Sequence, residues 1–134
     1  MPYQVGVIGI GNMGASLLTA FLKSGISSKS IAISDNFPAK IHELEAKFYC
    51  KGLDNLEVSN KASNLFIAVK PQDLDELLEN IGGNIRVHQR VISIVAGKKT
   101  SRIEKFLSEG VPVLRVMPNT PMSVGVGALS LIHI

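Results

Sequence analysis

The chain has 134 residues, 46% of them hydrophobic and 19% charged, which suits one domain with a packed core and excludes intrinsic disorder. Its 14 basic and 11 acidic residues leave a net charge of only +3. The basic residues are scattered, which argues against nucleic acid or a membrane surface as a partner. A single cysteine, Cys50, excludes an internal disulfide framework, so we expect a cytoplasmic protein.

The uncharged stretch 5–22 has the length of a membrane span but not its composition. Its glycines and Asn12 fit neither a spanning helix nor a signal peptide. A strand over 3–8, a glycine turn and a helix over 13–24 explain it better. Gly25 follows as the left-handed residue that ends the helix.

Further apolar runs of strand length alternate with segments of helical period. Four more strands are predicted, over 30–34, 65–69, 90–95 and 113–117, and a short extended piece over 56–58. Three more helices are predicted, over 38–47, 71–81 and 100–107. Near-continuous Val and Ile runs between helices are typical of strands buried on both faces. The sequence therefore predicts an α/β fold, a doubly wound and mostly parallel sheet of the Rossmann type, over 1–129.

A glycine motif between the first strand and the first helix carries the strongest chemical signal. Gly9, Gly11 and Gly14 form G-x-G-x-x-G in the context in which it predicts dinucleotide binding. Gly9 permits a tight turn, and Gly11 lets a pyrophosphate approach the backbone. Gly14 lets the helix pack closely on the strand. The alternative is a glycine turn with a structural role only.

The end of the second predicted strand holds the residues that distinguish the two nicotinamide cofactors. An acid there bonds the ribose 2′-hydroxyl of NADH, whereas a basic residue accommodates the 2′-phosphate of NADPH. Asp35 favours NADH. Ser34, Asn36 and Lys40 remain able to bond a phosphate. Asp35 could also do no more than begin a turn before Pro38, so the cofactor preference stays open.

Other strand ends point to the same crevice, because ligands in open α/β sheets lie beyond the carboxyl ends of the strands. Asn60 follows the short extended piece, and Lys70 follows the third strand. For Lys70 the alternative is a solvated side chain before a helix that begins with proline. Gly97 closes the next strand and would let the backbone pass close to a nicotinamide ring.

A rigid polar loop, 117–121, follows the last predicted strand. Pro118 and Pro121 stiffen this loop, and Asn119 and Thr120 provide its polar side chains. Polar groups on a rigid loop beside a crevice are suited to orient a substrate. Asn119 and Thr120 are therefore the candidate catalytic residues, with a stiff turn of no further role as the alternative.

Four segments together resemble pyrroline-5-carboxylate reductase, the enzyme family that makes proline: 8–14, 68–71, 91–97, and 115–121 followed by 125–128. The resemblance runs from about 3 to 129 and depends on the order and spacing of all four segments. It implies hydride transfer from NADPH, or less efficiently NADH, to the C=N bond of the small molecule 1-pyrroline-5-carboxylate. The cofactor contacts that it implies are Ile8, Gly9, Ile10, Gly11, Asn12, Met13, Ser34, Asp35, Asn60, Ala68, Val69, Lys70, Pro71, Ile94, Val95, Ala96 and Gly97.

The resemblance also implies a helical domain after about residue 129, which in this family supplies much of the substrate pocket and the dimer interface. Residues 130–134 do not match that continuation, so we expect a truncated reading frame or a foreign tail, and a homo-oligomer for the full-length form. Two alternatives stay open: a non-catalytic dinucleotide-binding fragment, and another NAD(P)-dependent dehydrogenase of the β-hydroxyacid type. No metal site is expected, because no two of the histidines have metal-ligand spacing.

Overall fold

A computed structural model of the chain describes residues 1–116. Within them, six strands form one sheet in the order β3-β2-β1-β4-β5-β6, with parallel pairing throughout. The strands are β1 (Tyr3–Ile8), β2 (Ile31–Ser34), β3 (Lys51–Gly52), β4 (Ala62–Ile67), β5 (Arg90–Ser93) and β6 (Val113–Arg115). The helices are α1 (Asn12–Lys23), α2 (Pro38–Phe48), α3 (Asn55–Lys61), α4 (Leu74–Ile81) and α5 (Thr100–Glu104).

The helices cover both faces of the sheet, and each face has its own buried cluster. On one face, α1 and α2 pack on the strands, with Phe21 of α1 against Phe66 of β4 at 5.1 Å between ring centroids. On the other face, α3, α4 and α5 contribute buried residues such as Val58, Leu78 and Ile103. The predicted doubly wound parallel α/β sheet is confirmed.

The order of the strands creates a crevice beside β1. The chain runs from β1 outward to β2 and β3, then crosses back to place β4 on the other side of β1. The connections after β1 and β4 therefore diverge to opposite faces of the sheet. Ligands of open α/β sheets bind at such a switch point, beyond the carboxyl ends of the strands.

One predicted element is wrong, because the extended piece expected over 56–58 lies inside helix α3. Asp54 caps this helix, since its carboxylate accepts a hydrogen bond of 2.8 Å from the backbone N–H of Glu57. Val58 is buried against the sheet from within the helix. Asn60 consequently lies in the last turn of α3 and not at the end of a strand.

Smaller differences concern element bounds. β4 begins at Ala62, earlier than predicted, and ends at Ile67, so that Ala68 and Val69 follow the strand. The helix predicted over 100–107 ends at Glu104. The two-residue strand β3 was not predicted. It pairs with β2 at the sheet edge.

Candidate functional site

A cleft of about 720 Å³ opens at the carboxyl ends of β1, β2 and β4. Its walls come from the glycine loop after β1, the turn into α2, the beginning of α3, and the β4–α4 connection with one face of α4. The residues that line it are Ile8, Gly9, Ile10, Gly11, Asp35, Asn36, Phe37, Lys40, Asn55, Ala68, Val69, Lys70, Asp73, Glu76, Leu77 and Asn80. The cleft thus lies at the switch point of the sheet.

Gly9 makes the tight turn that the motif predicts. Its φ of +96° is a left-handed conformation that favours glycine. Its N–H donates to the carbonyl of Ser34 at 2.9 Å. A Cβ at Gly9 would lie 2.8 Å from the carbonyl carbon and oxygen of Ala68. The loop can therefore pass between β2 and β4 only because glycine has no side chain.

Gly11 and Gly14 have opposite surroundings. A Cβ at Gly11 would meet no atom within 4 Å, so the backbone there borders open space in the cleft. A Cβ at Gly14 would lie 2.2 Å from the carbonyl oxygen of Gly9, so only glycine lets α1 sit this close to the loop. The close packing predicted for Gly14 agrees with this geometry, and the pyrophosphate contact predicted for Gly11 stays a prediction.

The first turn of α1 leaves backbone N–H groups without a capping side chain. The N-cap residue is Gly11, which has no side chain that could accept a hydrogen bond from the helix. The first N–H groups of a helix have no partner within the helix, and they carry the positive end of its dipole. An anion in the cleft beside Gly11 would be stabilised by these groups.

Asp35 ties the glycine loop to the turn that leads into α2. Its Oδ2 accepts a hydrogen bond of 2.6 Å from the N–H of Ile10, and its Oδ1 accepts one of 3.0 Å from the N–H of Phe37. The second bond is the turn that the sequence left as an alternative. The carboxylate nevertheless lines the cleft, and an ionised carboxylate can accept more than two hydrogen bonds. Asp35 can therefore hold the glycine loop in place and contact a ligand at the same time.

Several lining residues were not predicted from the sequence. Asn55 lines the cleft in place of Asn60, because α3 has its first residue at the cleft and its last turn away from it. Glu76, Leu77 and Asn80 form one face of α4 toward the cleft, and Asp73 directly precedes this helix with the same spacing. That spacing, directly after the third predicted strand, was a usable signal. Phe37 carried no motif and could be found only from the structure.

Some predicted residues are not part of this cleft. Asn12 and Met13 begin α1, and Met13 packs on the core. The predicted residues outside the lining are Asn12, Met13, Ser34, Asn60, Pro71, Ile94, Val95, Ala96 and Gly97. Asn60 is exposed, at the far end of α3 from Asn55.

The segment after β5 lies at the same edge of the sheet as the cleft. Its Gly97 has a φ of +71°, and a Cβ there would meet no atom within 4 Å. The backbone at Gly97 is thus uncrowded, and its approach to a nicotinamide ring stays a prediction. Asn119 and Thr120 lie outside the described residues.

The remaining reactive groups form no second site within the described part of the chain. Cys50 is buried, and burial raises the pKa of its thiol, which keeps it protonated at neutral pH. Within 1–116, no three His, Cys, Asp or Glu side chains cluster closely enough to hold a metal ion. No helix among these residues combines the length and apolar character needed to cross a membrane.

Comparison with known proteins assigns the family. Residues 4–97 match the model of the family described as NADP oxidoreductase, coenzyme F420-dependent. The chain belongs to this family. The matched segment runs from β1 to Gly97 and includes every residue that lines the cleft.

Relatives with assigned names agree with the resemblance predicted from the sequence. The chain is 37% identical over 127 residues to pyrroline-5-carboxylate reductase of Methanosarcina acetivorans, covering 93% of this chain and 47% of the relative. A solved pyrroline-5-carboxylate reductase from Coxiella burnetii superposes with a TM-score of 0.80 at 27% identity, covering 92% of this chain and 47% of that one. The chain thus spans about half the length of the relatives that it matches.

A more distant structure shares the fold. The pyrroline carboxylate reductase of Plasmodium falciparum, solved with NADP bound, superposes with a TM-score of 0.76 at 22% identity, covering 91% of this chain and 44% of that one. The resemblance predicted from the four sequence segments is confirmed by the relatives at 37% and 27% identity, whereas this structure adds the fold alone.

Proposed function

We propose that this chain is the cofactor-binding half of a pyrroline-5-carboxylate reductase, with NADPH as the hydride donor and NADH as a weaker substitute. The observation that carries the proposal is the cleft itself. It combines a glycine loop open at Gly11, an uncapped helix N-terminus and polar residues at the end of β2. The identity to named reductases supports the substrate, 1-pyrroline-5-carboxylate.

The residues around the glycine loop fit the pyrophosphate of a dinucleotide. Open space beside Gly11 gives the phosphates access to the backbone, and the first turn of α1 offers unpaired N–H donors. Lys70, which follows β4, adds a positive charge to the opposite wall. The bound cofactor would supply the hydride that reduces the ring C=N bond.

The β2–α2 turn fits both forms of the cofactor. Asn36 and Lys40 line the cleft and can hold the 2′-phosphate of NADPH. Asp35 lies between them and the glycine loop, and it can accept a hydrogen bond from the ribose 2′-hydroxyl of NADH. Ser34 does not line the cleft, so the choice between the cofactors falls to these three side chains.

The chain's contribution to the reaction is to hold the dinucleotide in place, because the cofactor carries the electrons. In the proposed reaction a hydride reaches the imine carbon and a proton completes the ring nitrogen, giving L-proline. Asn119 and Thr120 are the proposed residues that orient the substrate through hydrogen bonds. No acid or base of this half is assigned a role in proton transfer.

The rest of the site is proposed to come from sequence that the relatives carry beyond the shared half. That part would be the helical domain that completes the substrate pocket and joins two subunits into a homo-oligomer. We also propose a cytoplasmic location, because a chain with a single cysteine is suited to a reducing compartment. The proposed partner of the chain is its small-molecule substrate.

The test separates cofactor binding from turnover. Calorimetry on the 134-residue chain should show binding of NADPH and weaker binding of NADH. Joining the chain to the second half of the Methanosarcina acetivorans relative should then give oxidation of NADPH that depends on 1-pyrroline-5-carboxylate. Lack of NADPH binding by the chain would overturn the proposal. A fusion that binds NADPH but reduces only the carbonyl compounds that correspond to β-hydroxyacids would overturn the proposed substrate.

A further inference from the structure

Phe37 is an aromatic side chain that the core does not use. It is 70% exposed, and it belongs to neither buried cluster. Other large apolar side chains among residues 1–116 are exposed too, including Tyr49 at the far end of α2. Phe37 differs from them because it lines the cleft.

The backbone holds Phe37 in a fixed position. Its N–H donates to Oδ1 of Asp35 at 3.0 Å, and its carbonyl accepts from the N–H groups of Lys40 at 3.1 Å and Ile41 at 3.3 Å. Pro38 follows directly and restricts the chain at the start of α2. The backbone at Phe37 is therefore already ordered, so that binding of a flat ligand would need to order only the side chain.

The end of the dinucleotide that reaches Phe37 follows from its neighbours. The residue at the end of β2 contacts the ribose that carries the 2′-hydroxyl or 2′-phosphate, which belongs to the adenosine half of the cofactor. Asp35 has that position, and Phe37 is two residues further along the same turn. The base attached to this ribose therefore lies on the side of the cleft where Phe37 is exposed.

The cleft also offers polar groups for the edge of a base. Asn55 at the start of α3 and Asn80 on α4 line it, and each amide provides both donors and acceptors. Leu77 adds a buried apolar surface on the α4 side. An aromatic ring, an apolar surface and two amides are a suitable environment for a purine, which has apolar faces and a polar edge.

We propose that Phe37 stacks on the adenine ring of the bound dinucleotide. This inference rests on the proposed function, because it needs a dinucleotide in the cleft. Base stacking on an aromatic side chain depends on the flat face of the ring and tolerates an added hydroxyl. The role thus belongs to the ring of Phe37 and not to its size alone.

The test uses the 134-residue chain, three variants and two ligands. The ligands are NADPH and adenosine 2′,5′-bisphosphate, which contains only the adenosine end. Phe37→Ala should weaken both by the same factor, on the order of 10-fold, as expected for the loss of one base stack. Phe37→Tyr, which keeps an aromatic ring, should bind both ligands as tightly as the parent chain. Tyr49→Ala, which removes an exposed aromatic ring outside the cleft, should leave both affinities unchanged.

The outcomes distinguish this inference from the function on which it depends. If the unmodified chain binds neither ligand, the proposed function fails together with the stack. If the unmodified chain binds both and Phe37→Ala binds them equally well, only the stack is wrong. Loss of NADPH affinity without loss for the bisphosphate would place the ring at the nicotinamide end and overturn the inference. An unchanged melting temperature of Phe37→Ala controls for folding, since this side chain is mostly exposed.

Discussion

The two edges of the sheet treat polar groups in opposite ways. At the edge where the strands begin, Gln89 is fully buried and its side chain makes three hydrogen bonds, to Ser59, Ala62 and Arg86. At the edge where the strands end, the glycine loop leaves space beside Gly11 and donors at the start of α1. Satisfied polar groups stabilise one edge, and accessible groups leave the other ready for a ligand.

A second contact at the amino edge shows the same principle. Asn64 of β4 donates to the carbonyl of Gln4 at 2.9 Å, and its Oδ1 accepts from Nε of Arg90 at 2.9 Å. These side chains connect β1, β4 and β5 where the three strands begin. Buried polar groups that pair with each other specify how the strands align and offer little to a ligand.

The largest expected effect is a loss of NADPH affinity when Gly11, at the carboxyl edge, is replaced by valine. Gly11→Val should weaken NADPH binding by at least roughly 100-fold, because the branched side chain would fill the space of the pyrophosphate. Its folding should be almost unchanged, since a Cβ there meets no atom. Calorimetry and thermal unfolding measure the two quantities.

Two other glycines provide the controls for that experiment. Gly83→Val places the same side chain in equally open space outside the cleft, and it should leave NADPH binding unchanged. Gly14→Ala should lower the free energy of unfolding by about 1–3 kcal/mol, because its Cβ would meet the backbone of Gly9. Normal NADPH affinity in Gly11→Val would remove the glycine loop from the site.

The amino edge should respond in the opposite way. Gln89→Ala leaves two carbonyl groups and one N–H without their partner, so the free energy of unfolding should fall by about 2–4 kcal/mol. NADPH affinity measured below the unfolding transition should stay the same. Denaturant unfolding and calorimetry measure these effects. A loss of affinity with unchanged stability would contradict the proposed division of roles.

A smaller effect concerns the choice of cofactor. Asp35→Ala should weaken NADH more than NADPH, by on the order of 10-fold, because one hydrogen bond to the ribose hydroxyl is lost. Lys40→Ala should weaken NADPH more than NADH. Binding of both cofactors to each variant measures the ratio. Equal losses of the two cofactors in Asp35→Ala would show that the carboxylate only braces the loop.

The smallest expected effect lies on the surface between α4 and α5. Arg102 donates hydrogen bonds to Asp75 and holds the pKa of that carboxyl below its usual value of 3.8. The pair therefore stabilises the fold above that pH, and the contribution disappears as the pH falls through the lowered pKa. Asp75→Asn should melt slightly lower than the parent chain at neutral pH and equally in acid. A difference that persists in acid would contradict this assignment.

The sequence predicted those parts of the fold whose local signals agree with their tertiary contacts. Strand β1 has the predicted bounds, and Gly25 after α1 has the left-handed φ of +98°. The glycine loop was predictable because each glycine meets a steric requirement that other residues fail. The sequence therefore predicted the residues of that loop that line the cleft. The argument from strand ends predicted Asp35 and the segment 68–70.

The errors occurred where distant contacts decide the local structure. Leu56, Glu57 and Val58 alternate in polarity as in a strand, but the Asp54 cap and the contact of Val58 with the sheet favour a helix. Strand β3 depends on partners elsewhere, because Glu45 of α2 accepts from the N–H of Gly52 and β2 pairs with it. Phe37 was missed for the same reason, since only the assembled cleft shows what its exposed ring borders.

One titration tests the central claim, that the carboxyl edge of the sheet holds the dinucleotide and the amino edge does not. Backbone amide resonances of the isotope-labelled chain would be followed as NADPH is added. We predict that the shifts concentrate at 9–14, at 35–40 and around Asn55 and Lys70, while Gln89 and Asn64 stay unchanged. Shifts centred on Gln89 and Asn64, or no shifts at saturating NADPH, would contradict the account.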